Sequence, residues 1–319
     1  MEKVITIKDI ARLAGVGVGT VSRALNGGKN VDPETFSKIL AIVKELNYKP
    51  NNIARKLAKG NYSQKTIGVV VPVIINPFYY EILKGVYDKV IKENYNLLLF
   101  NLGNHHKEET LKHIIEENLI GIIFIAENIP VYEKKLLNSG NVKYVYIDYH
   151  EENENSFFLD NKKGGTLVAQ YFITNNIKRI AYIGEHFVSQ QQIDRFNGFK
   201  EELEKNNFFI EVIKYINNDE KESYILTLDL LKENPQIEGI FYFCDNMAYG
   251  GLKARSELKS NVTIIGFDDM MPSKFLGLST IAQPAYTMGY EGANFIIDLI
   301  NNTKNNFFQK CYDPQLIIR

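Results

Sequence analysis

The 319-residue sequence has little cysteine, with only Cys244 and Cys311. Two cysteines cannot build a disulfide framework, and no group of cysteines and histidines has the spacing of a zinc site. The N-terminal segment lacks the continuous apolar stretch of a signal peptide. Nowhere does an apolar run approach the roughly 18–20 residues that a membrane-spanning helix needs. We therefore expect a cytoplasmic protein with no metal site and no cofactor.

The chain also has almost no net charge, because 37 basic and 38 acidic residues give a formal total of −1. That total hides an uneven distribution. Residues 1–62 contain eleven lysines and arginines and five acidic residues, so this segment carries +6 and the remainder carries −7. A nucleic-acid partner is therefore not excluded by the total. Apolar residues make up 45% of the chain, which is ordinary for a folded protein of two or three domains.

The first fifty residues show the pattern of three short helices. Thr6 and Asp9 have the spacing of a capping box at the start of the first helix. A second helix is predicted from about Val18 to Leu25, and Asp32-Pro33 supplies an N-cap and a first-turn proline for the third. Three short helices with a tight turn between the first two indicate a helix-turn-helix domain, whose second helix enters the DNA major groove.

The glycine-rich run at residues 15–19 between the first two helices has two interpretations. A dinucleotide-binding fingerprint requires a preceding strand and a pyrophosphate at the N-terminus of the following helix. Here a helix precedes the run, and Thr20 occupies the sixth position of the fingerprint. The alternative is a tight turn followed by a DNA-recognition helix, and the basic charge of the segment favours it.

The stretch TIKDIARLAGVGVGTVSRALN at residues 6–26 closely resembles the DNA-binding head of the lac-repressor (LacI/GalR) family of bacterial transcription regulators. The segment LNYKPNNIARKLA at residues 46–58 is similar to the family's hinge, and the resemblance extends to the C-terminus. It implies an all-α helix-turn-helix domain at residues 1–49 and a hinge helix with its linker at residues 50–65. Residues 66–319 would then form an effector-binding and dimerisation core.

The same resemblance implies DNA contacts for specific residues. Base-reading positions correspond to Val18, Gly19 and Arg23, and phosphate contacts to Thr6, Thr20, Ser22 and Asn26. Leu57 matches the residue that wedges between base pairs in the minor groove, although an apolar residue in a linker can also pack against its own chain.

The sequence departs from the family where Gly17 replaces the usual serine and where the readers Val18 and Gly19 are small. Because these side chains offer little hydrogen bonding, we expect Arg23 to carry an unusually large share of direct readout. Its guanidinium can donate to guanine O6 and N7. The alternative is that Arg23 is only a solvated helix residue.

Beyond residue 65, short apolar runs alternate with amphipathic segments, which predicts parallel α/β sheets. The family resemblance implies a core of two lobes like a periplasmic binding protein, with three chain crossings. Lobe 1 is expected at about residues 66–159 and 284–308. Lobe 2 is expected at about residues 160–283 and 309–319.

Ligands of such folds bind beyond the carboxyl ends of the strands, here in the cleft between the lobes. The family's effector contacts correspond best to Phe78, Tyr79, Asp148, Arg195, Asp268 and Gln283. Cys244 occupies a position at which members of the family often make a polar contact. Carboxylates, a guanidinium and an amide suit vicinal hydroxyls, and aromatic rings suit the face of a sugar or a purine. The aromatic pair could instead belong only to the core, and Asp148 could only cap a loop.

Together these features predict a homodimeric transcriptional regulator, most readily a repressor, that binds palindromic operator DNA under the control of a small polar metabolite. A sugar or sugar derivative fits best, and a nucleobase or a protein co-repressor is the alternative. The sequence ends soon after a strand-like segment at residues 315–318, without the leucine heptads used for tetramers. A solute-binding protein would need a signal peptide, and an enzyme would need a catalytic constellation that the motifs do not contain.

Overall fold

The computed structural model describes residues 5–25, 30–46, 48, 65–102, 107–117, 119–303 and 307–319. The chain divides into two compact units, residues 1–63 and residues 64–319. Asn26 and Leu57, to which the sequence analysis assigned DNA contacts, lie outside the described residues, as does nearly all of the expected hinge at residues 50–65.

The first unit contains the helices α1 (Ile7–Ala14), α2 (Val18–Leu25) and α3 (Pro33–Glu45). Thr6 caps α1 by accepting a hydrogen bond from the Asp9 backbone, and the Asp9 carboxylate accepts one from the Thr6 backbone at 3.0 Å. Gly15 ends α1 with a φ of 71°, a conformation that favours glycine. A helix therefore precedes the glycine run, which confirms the turn and contradicts a dinucleotide-binding fingerprint.

Each helix of the first unit contributes to one small apolar core. Ile10 of α1, Val21 of α2 and Ile39 of α3 are fully buried and belong to the same cluster. Burying side chains of this size stabilises a small domain by about 1.5–3 kcal/mol each. This packing leaves the opposite face of α2 exposed to solvent.

The second unit alternates strands and helices along the chain. Its first half contains β1 (Thr66–Val71), α4 (Pro77–Lys92), β2 (Asn96–Asn101), α5 (Lys107–Glu116), β3 (Gly121–Ile125), α6 (Val131–Ser139), β4 (Lys143–Ile147), β5 (Ser156–Leu159) and α7 (Asn161–Thr174). Then follow β6 (Ile180–Glu185), α8 (Gln190–Lys205), β7 (Ile210–Ile216), α9 (Glu220–Glu233), β8 (Gly239–Tyr242), α10 (Asp245–Leu258), β9 (Thr263–Asp268) and α11 (Met271–Leu276). The last elements are β10 (Ser279–Ala282), α12 (Ala285–Ile300), β11 (Gln309–Tyr312) and β12 (Gln315–Ile317).

The strands form two separate sheets. The first has the order β2-β1-β3-β4-β5-β11, and its neighbouring strands are parallel. The second has the order β7-β6-β8-β9-β10-β12, in which β10 and β12 are antiparallel and the other pairs parallel. Central strands such as β3 and β8 are buried along their whole length, as expected for parallel sheets covered on both faces by helices.

The chain passes between the two sheets three times, and the last crossing lies later than expected. Residues 309–319 were expected to lie entirely in lobe 2, but β11 pairs with β5 in the first sheet. Only β12 joins the second sheet, so the crossing occurs at Asp313-Pro314. The reason is that β11 extends the row of strands at an open edge, where backbone hydrogen bonds rather than apolar side chains decide the pairing.

Helices cover both faces of each sheet and fix the loops that follow the strands. One face of the first sheet packs against α4 and α12, and the other against α5 and α6. In the second sheet, α7 and α8 cover one face and α9 and α10 the other. Because both sheets carry their helices this way, the carboxyl ends of their strands remain accessible.

Candidate functional site

A cavity of about 440 Å³ lies where loops from both sheets meet. The first sheet contributes residues that follow β1, β3 and β4, and the second contributes residues at the ends of β6, β8 and β9. Ligands of open α/β sheets bind at this edge, beyond the carboxyl ends of the strands. The cavity is therefore the candidate ligand site of the second unit.

Five of the six expected effector residues line this cavity, namely Phe78, Tyr79, Asp148, Arg195 and Asp268. Gln283 does not belong to the lining. Its side-chain amide instead donates a hydrogen bond to Asp268 Oδ1 at 2.6 Å, so it holds a lining residue in place. Further polar side chains in the lining are Asn76, Glu127, Glu185, Ser189, Gln191, Asn218, Glu220, Asn246 and Tyr249.

Arg195 is almost fully buried, with 3% of its side chain exposed, and several contacts fix its guanidinium. Its Nε donates to Asn161 Oδ1 at 2.8 Å, and its Nη1 donates to the Phe243 carbonyl at 2.9 Å. Asp268 Oδ1 lies 3.7 Å from Nη1, and the guanidinium carbon lies 3.7 Å from the ring centre of Phe267. Such contacts fix the plane of the guanidinium before any ligand arrives.

Two carboxylates face the cavity from opposite sheets, Asp148 after β4 and Asp268 at the end of β9. Both have left-handed backbones, with φ of 56° and 125°. The Gln191 side-chain amide donates to the Asp148 backbone carbonyl and lies 3.5 Å from Asp148 Oδ2. Among the described residues, the buried Asp148 Oδ1 has no hydrogen-bond partner. An unpaired buried acceptor is costly, which is typical of a site prepared for a ligand.

Burial changes the protonation of these carboxyl groups. It raises the pKa of Asp148 to about 7, although Arg195 and Gln191 act in the opposite direction. The pKa of Asp268 is raised well above its ordinary value, again first by burial, while Arg195 opposes the shift. Burial also raises the pKa of Glu185 to about 6. Strongly shifted groups that converge in a cleft are a physical marker of a functional site.

The aromatic pair is positioned by the start of α4. Asn76 caps this helix, because its side-chain oxygen accepts a hydrogen bond from the Phe78 backbone at 2.9 Å. Phe78 also belongs to the core of the first sheet, so its ring serves both packing and the cavity wall. Burial raises the pKa of the neighbouring Tyr79 well above its ordinary value.

Sequence reasoning missed several lining residues. Glu185 is the last residue of β6, so the rule that ligands bind beyond strand ends could have found it. Gln191 lies in the first turn of α8 and Asn218 lies in the loop before α9, where no local pattern marks them. Their contribution depends on how the loops come together in three dimensions.

Cys244 lines the cavity at the position where the family often has a polar contact. Its sulfur lies 3.5 Å from Asn218 Oδ1, and burial raises the pKa of its thiol. The side chain is therefore a neutral thiol at physiological pH and offers a ligand only a weak donor. Glutamate and asparagine side chains must supply most of the hydrogen bonding on this wall.

The fully buried Asp245 holds the loops behind this wall together. Its carboxylate accepts hydrogen bonds from the Met270 backbone at 2.9 Å and from the Ser273 and Thr280 hydroxyls at 2.5 Å each. These bonds tie the start of α10 to α11 and β10, so the loop that carries Met270 into the cavity lining has a fixed position.

The first unit exposes the residues expected to read DNA bases. Val18, Gly19 and Arg23 are exposed on α2, and Arg23 Nη2 lies 3.3 Å from the Thr20 hydroxyl, which accepts the hydrogen bond. Ser22 is half-buried on the same helix. The Thr6 hydroxyl donates to Asp9 Oδ2 at 2.6 Å, so it would have to turn away from this carboxylate to donate to a phosphate.

Within the described residues, no group of three or more His, Cys, Asp or Glu side chains is placed to hold a metal ion. In the same part of the chain, no helix combines the length and apolar character that crossing a membrane requires.

Comparison with known proteins gives consistent matches. The family model of bacterial regulatory proteins of the lacI family matches residues 6–51, and that of the periplasmic binding protein-like domain matches residues 169–319. The ribose operon repressor of Bacillus subtilis (strain 168) is 33% identical, over 92% of this chain and 91% of its own.

Solved structures show the same architecture. A transcriptional regulator of this family from Silicibacter pomeroyi has a TM-score of 0.81 and 22% identity, with 98% of each chain covered. A LacI family transcriptional regulator from Enterococcus faecium with bound ribose has a TM-score of 0.72 and 23% identity, over 79% of this chain and 96% of its own.

These matches and the structure confirm the expected fold class, a helical helix-turn-helix region followed by an α/β core with two largely parallel sheets. They also confirm the family resemblance that the sequence motifs indicated. This chain belongs to the lacI family of bacterial regulatory proteins.

Proposed function

We propose that this protein is a transcriptional repressor whose operator affinity is controlled by a small sugar-like molecule bound in the cavity. The observation that carries the proposal is the convergence of Asp148 and Arg195, from elements on opposite sides of the cleft, on one cavity. A ligand that contacts both sheets can favour one state of closure over the other. Only such a difference in affinity can shift the population of states.

The chemistry of the lining supports a polyhydroxylated ligand. Carboxylates accept hydrogen bonds from hydroxyl groups, the guanidinium and side-chain amides donate them, and aromatic rings cover the less polar face of a sugar. The relative that represses a ribose operon and the similar structure with bound ribose agree with this class.

For the DNA, the proposal follows the family's arrangement. Val18, Gly19 and Arg23 would face base edges, while Thr6, Thr20, Ser22 and Asn26 would contact phosphates, and Leu57 would enter the minor groove. A homodimer would present two α2 helices, which requires a palindromic operator. Only Arg23 among the three base readers has a side chain that donates hydrogen bonds, so it should dominate direct readout.

A DNA-binding experiment tests this assignment. An operator is first selected from random-sequence DNA with the purified full-length protein, and gel shifts then compare wild type with Arg23→Ala. We expect Arg23→Ala to bind about tenfold or more weakly, and to lose preference for guanine at one position of each half-site. Arg12→Ala, which removes the same charge from the exposed surface of α1, is the matched control.

Two results would contradict the proposal at different levels. If Arg23→Ala bound the operator as tightly as wild type, the assignment of Arg23 to base readout would be contradicted. Failure of the wild-type protein to enrich any sequence would contradict the operator-binding function itself.

A further inference from the structure

A side-chain contact joins the two lobes directly across the cleft. Asp148 follows β4 in the first sheet, whereas Gln191 lies in the first turn of α8, which packs against the second sheet. The Gln191 side-chain amide donates a hydrogen bond to the Asp148 backbone carbonyl, and its nitrogen lies 3.5 Å from Asp148 Oδ2. Both groups belong to the protein, so this contact between the lobes does not depend on a ligand.

Both partners are buried, and the start of α8 is firmly held. The exposed fraction is 8% for Gln191 and 4% for Asp148. Ser189 caps α8 by accepting a hydrogen bond from the Gln192 backbone at 3.2 Å. The Gln192 side chain accepts a hydrogen bond from the Glu185 backbone at 2.5 Å and donates one to the Glu185 carbonyl at 2.9 Å. The first turn of α8 is therefore fixed to the end of β6, which gives Gln191 a defined position from which to reach the other lobe.

The same pair of residues lies between two cavities. Asp148 and Gln191 line the candidate ligand site, and they also line a second cavity of about 220 Å³ beside it. The other walls of the second cavity come from the first chain crossing, the segments on either side of it and the start of α8, and they include Tyr149, Phe158, Asp160, Asn161 and Asp194. The Gln191 side chain is therefore part of the wall that divides the ligand site from this second cavity.

The contact leaves part of the Asp148 carboxyl group available to a ligand. It uses the backbone carbonyl, whereas the buried Oδ1 has no hydrogen-bond partner among the described residues. A ligand hydroxyl can therefore bind at Oδ1 without displacing Gln191. Because a backbone carbonyl does not titrate, the contact is the same whether the Asp148 carboxyl is protonated or ionised. The Asp148 backbone N–H donates to the Phe157 carbonyl at 2.8 Å, which also holds this residue in place.

We propose that Gln191 is a positioning residue of the cleft, which ties the two lobes together before a ligand arrives and holds Asp148 where the ligand binds. The inference rests on the proposed function, which requires a ligand that favours one arrangement of the lobes. If part of the population already has the bridged arrangement, the ligand has to shift that population less far, and its apparent affinity is higher. Loss of the bridge should therefore loosen the lobes in the ligand-free protein and weaken ligand binding.

Distances between spin labels on the two lobes test the bridge directly. Ile75 and Phe275 are 88% and 82% exposed, and they lie in the loop after β1 and in α11, which contribute to the cavity lining from the first and the second sheet. Labels are attached at Ile75→Cys and Phe275→Cys in full-length protein that carries Cys311→Ser, because Cys311 is exposed and Cys244 is buried. The labelled protein is mixed with a large excess of unlabelled protein, so that double electron–electron resonance reports distances within one chain.

We expect wild type without sugar to show one main distance and Gln191→Met to add a longer one, because methionine has a similar size but no hydrogen-bond donor. Gln191→Ala, which also removes the donor, should behave in the same way. Gln236→Met changes an exposed glutamine between α9 and β8 and is the matched control, which should resemble wild type. A role of Gln191 confined to the stability of α8 would lower Tm without adding the longer distance.

The same variants are then titrated with a sugar. Ribose, glucose, galactose and cellobiose are screened with wild type by thermal shift, and the sugar that raises Tm is used. Its Kd, measured by calorimetry, should be about fivefold higher for Gln191→Met than for wild type, the size expected for the net contribution of one hydrogen bond. Saturating sugar should restore the main wild-type distance, because the ligand itself then joins the lobes.

Three results would contradict the inference and leave the repressor function intact. They are the same distance distribution in wild type and Gln191→Met, an unchanged sugar Kd, and a longer distance that saturating sugar does not remove. If none of the four sugars raises Tm, the distances alone decide, since they are measured without sugar. A sugar that binds wild type without changing its operator affinity would instead contradict the proposed function.

Discussion

Asp148 is a carboxyl group held where its negative charge is costly. In the unfolded chain it ionises near its ordinary pKa of 3.8, whereas burial in the folded protein raises that pKa to about 7. As the pH rises from about 4 to 7, the unfolded state therefore loses its proton first, and the folded state becomes less stable. Above pH 7 this destabilisation is complete.

We therefore expect Asp148→Asn to stabilise the ligand-free protein at pH 8. The gain should be about 2–4 kcal/mol at pH 8 and should shrink toward pH 5, because asparagine has no proton to lose. Chemical denaturation at pH 5 and pH 8 measures both values, and Asp229→Asn on the exposed side of α9 is the control. A gain that is equal at both pH values would show that the charge of Asp148 is not the cause. The variant should also bind the sugar more weakly.

Among single residues, those that line the cavity were easier to predict from the sequence than those that hold the lining in place. Asp148 follows one apolar strand and Asp268 ends another, so their place at the cleft could be predicted from the order of strand and loop. Gln283 was predicted as a contact, but it lies behind Asp268 and orients it. No local pattern distinguishes a residue that lines a cavity from one that holds the lining in place.

The close packing of helices α7 and α8 depends on two glycines at the point where the helices cross. A Cβ atom on Gly165 would overlap the Arg195 carbonyl and lie 2.8 Å from the Phe199 backbone nitrogen. A Cβ atom on Gly198 would overlap the Lys162 carbonyl in the same way. Because α8 carries Arg195 into the cavity, the spacing of these two helices sets the position of the guanidinium.

We expect Gly165→Ala to destabilise the protein by about 1–3 kcal/mol, since a backbone rather than a flexible side chain must move. The same displacement of α8 should weaken sugar binding. Gly140→Ala at the end of α6 is the control, because its φ is −79° and its Cβ would lie 3.5 Å from the nearest atom. Urea denaturation of both variants measures the difference. A Gly165→Ala protein as stable as wild type would contradict the close helix crossing.

The sequence predicted most strands and helices of the second unit well, but it did not predict where β11 lies. The apolar runs of β1, β3 and β8 and the amphipathic helices between them gave the alternation that defines the fold. The assignment of residues 309–312 to lobe 2 was wrong, because this short segment of mixed polar and aromatic residues joins the edge of the first sheet through backbone hydrogen bonds. Pairing partners that are distant in sequence leave little trace in a short strand.

At the scale of the whole molecule, the near-zero net charge is the sum of two specialised parts. Residues 1–62 carry +6 and the remainder carries −7. The basic segment contains the helix-turn-helix, whose operator binding should weaken steeply with salt because phosphate contacts release counterions. Part of the acidic excess lies in the cleft, where Glu127, Glu185 and Glu220 join the two aspartates.

The central claim is that occupancy of the cleft changes operator affinity, and one titration tests it directly. The Kd of the full-length protein for its selected operator is measured by fluorescence anisotropy, with and without the sugar that raises Tm. We expect the Kd to change about fivefold to 150-fold, with the response lost in Asp268→Asn and kept in Glu233→Gln. A sugar that raises the wild-type Tm but leaves the operator Kd unchanged would contradict the account.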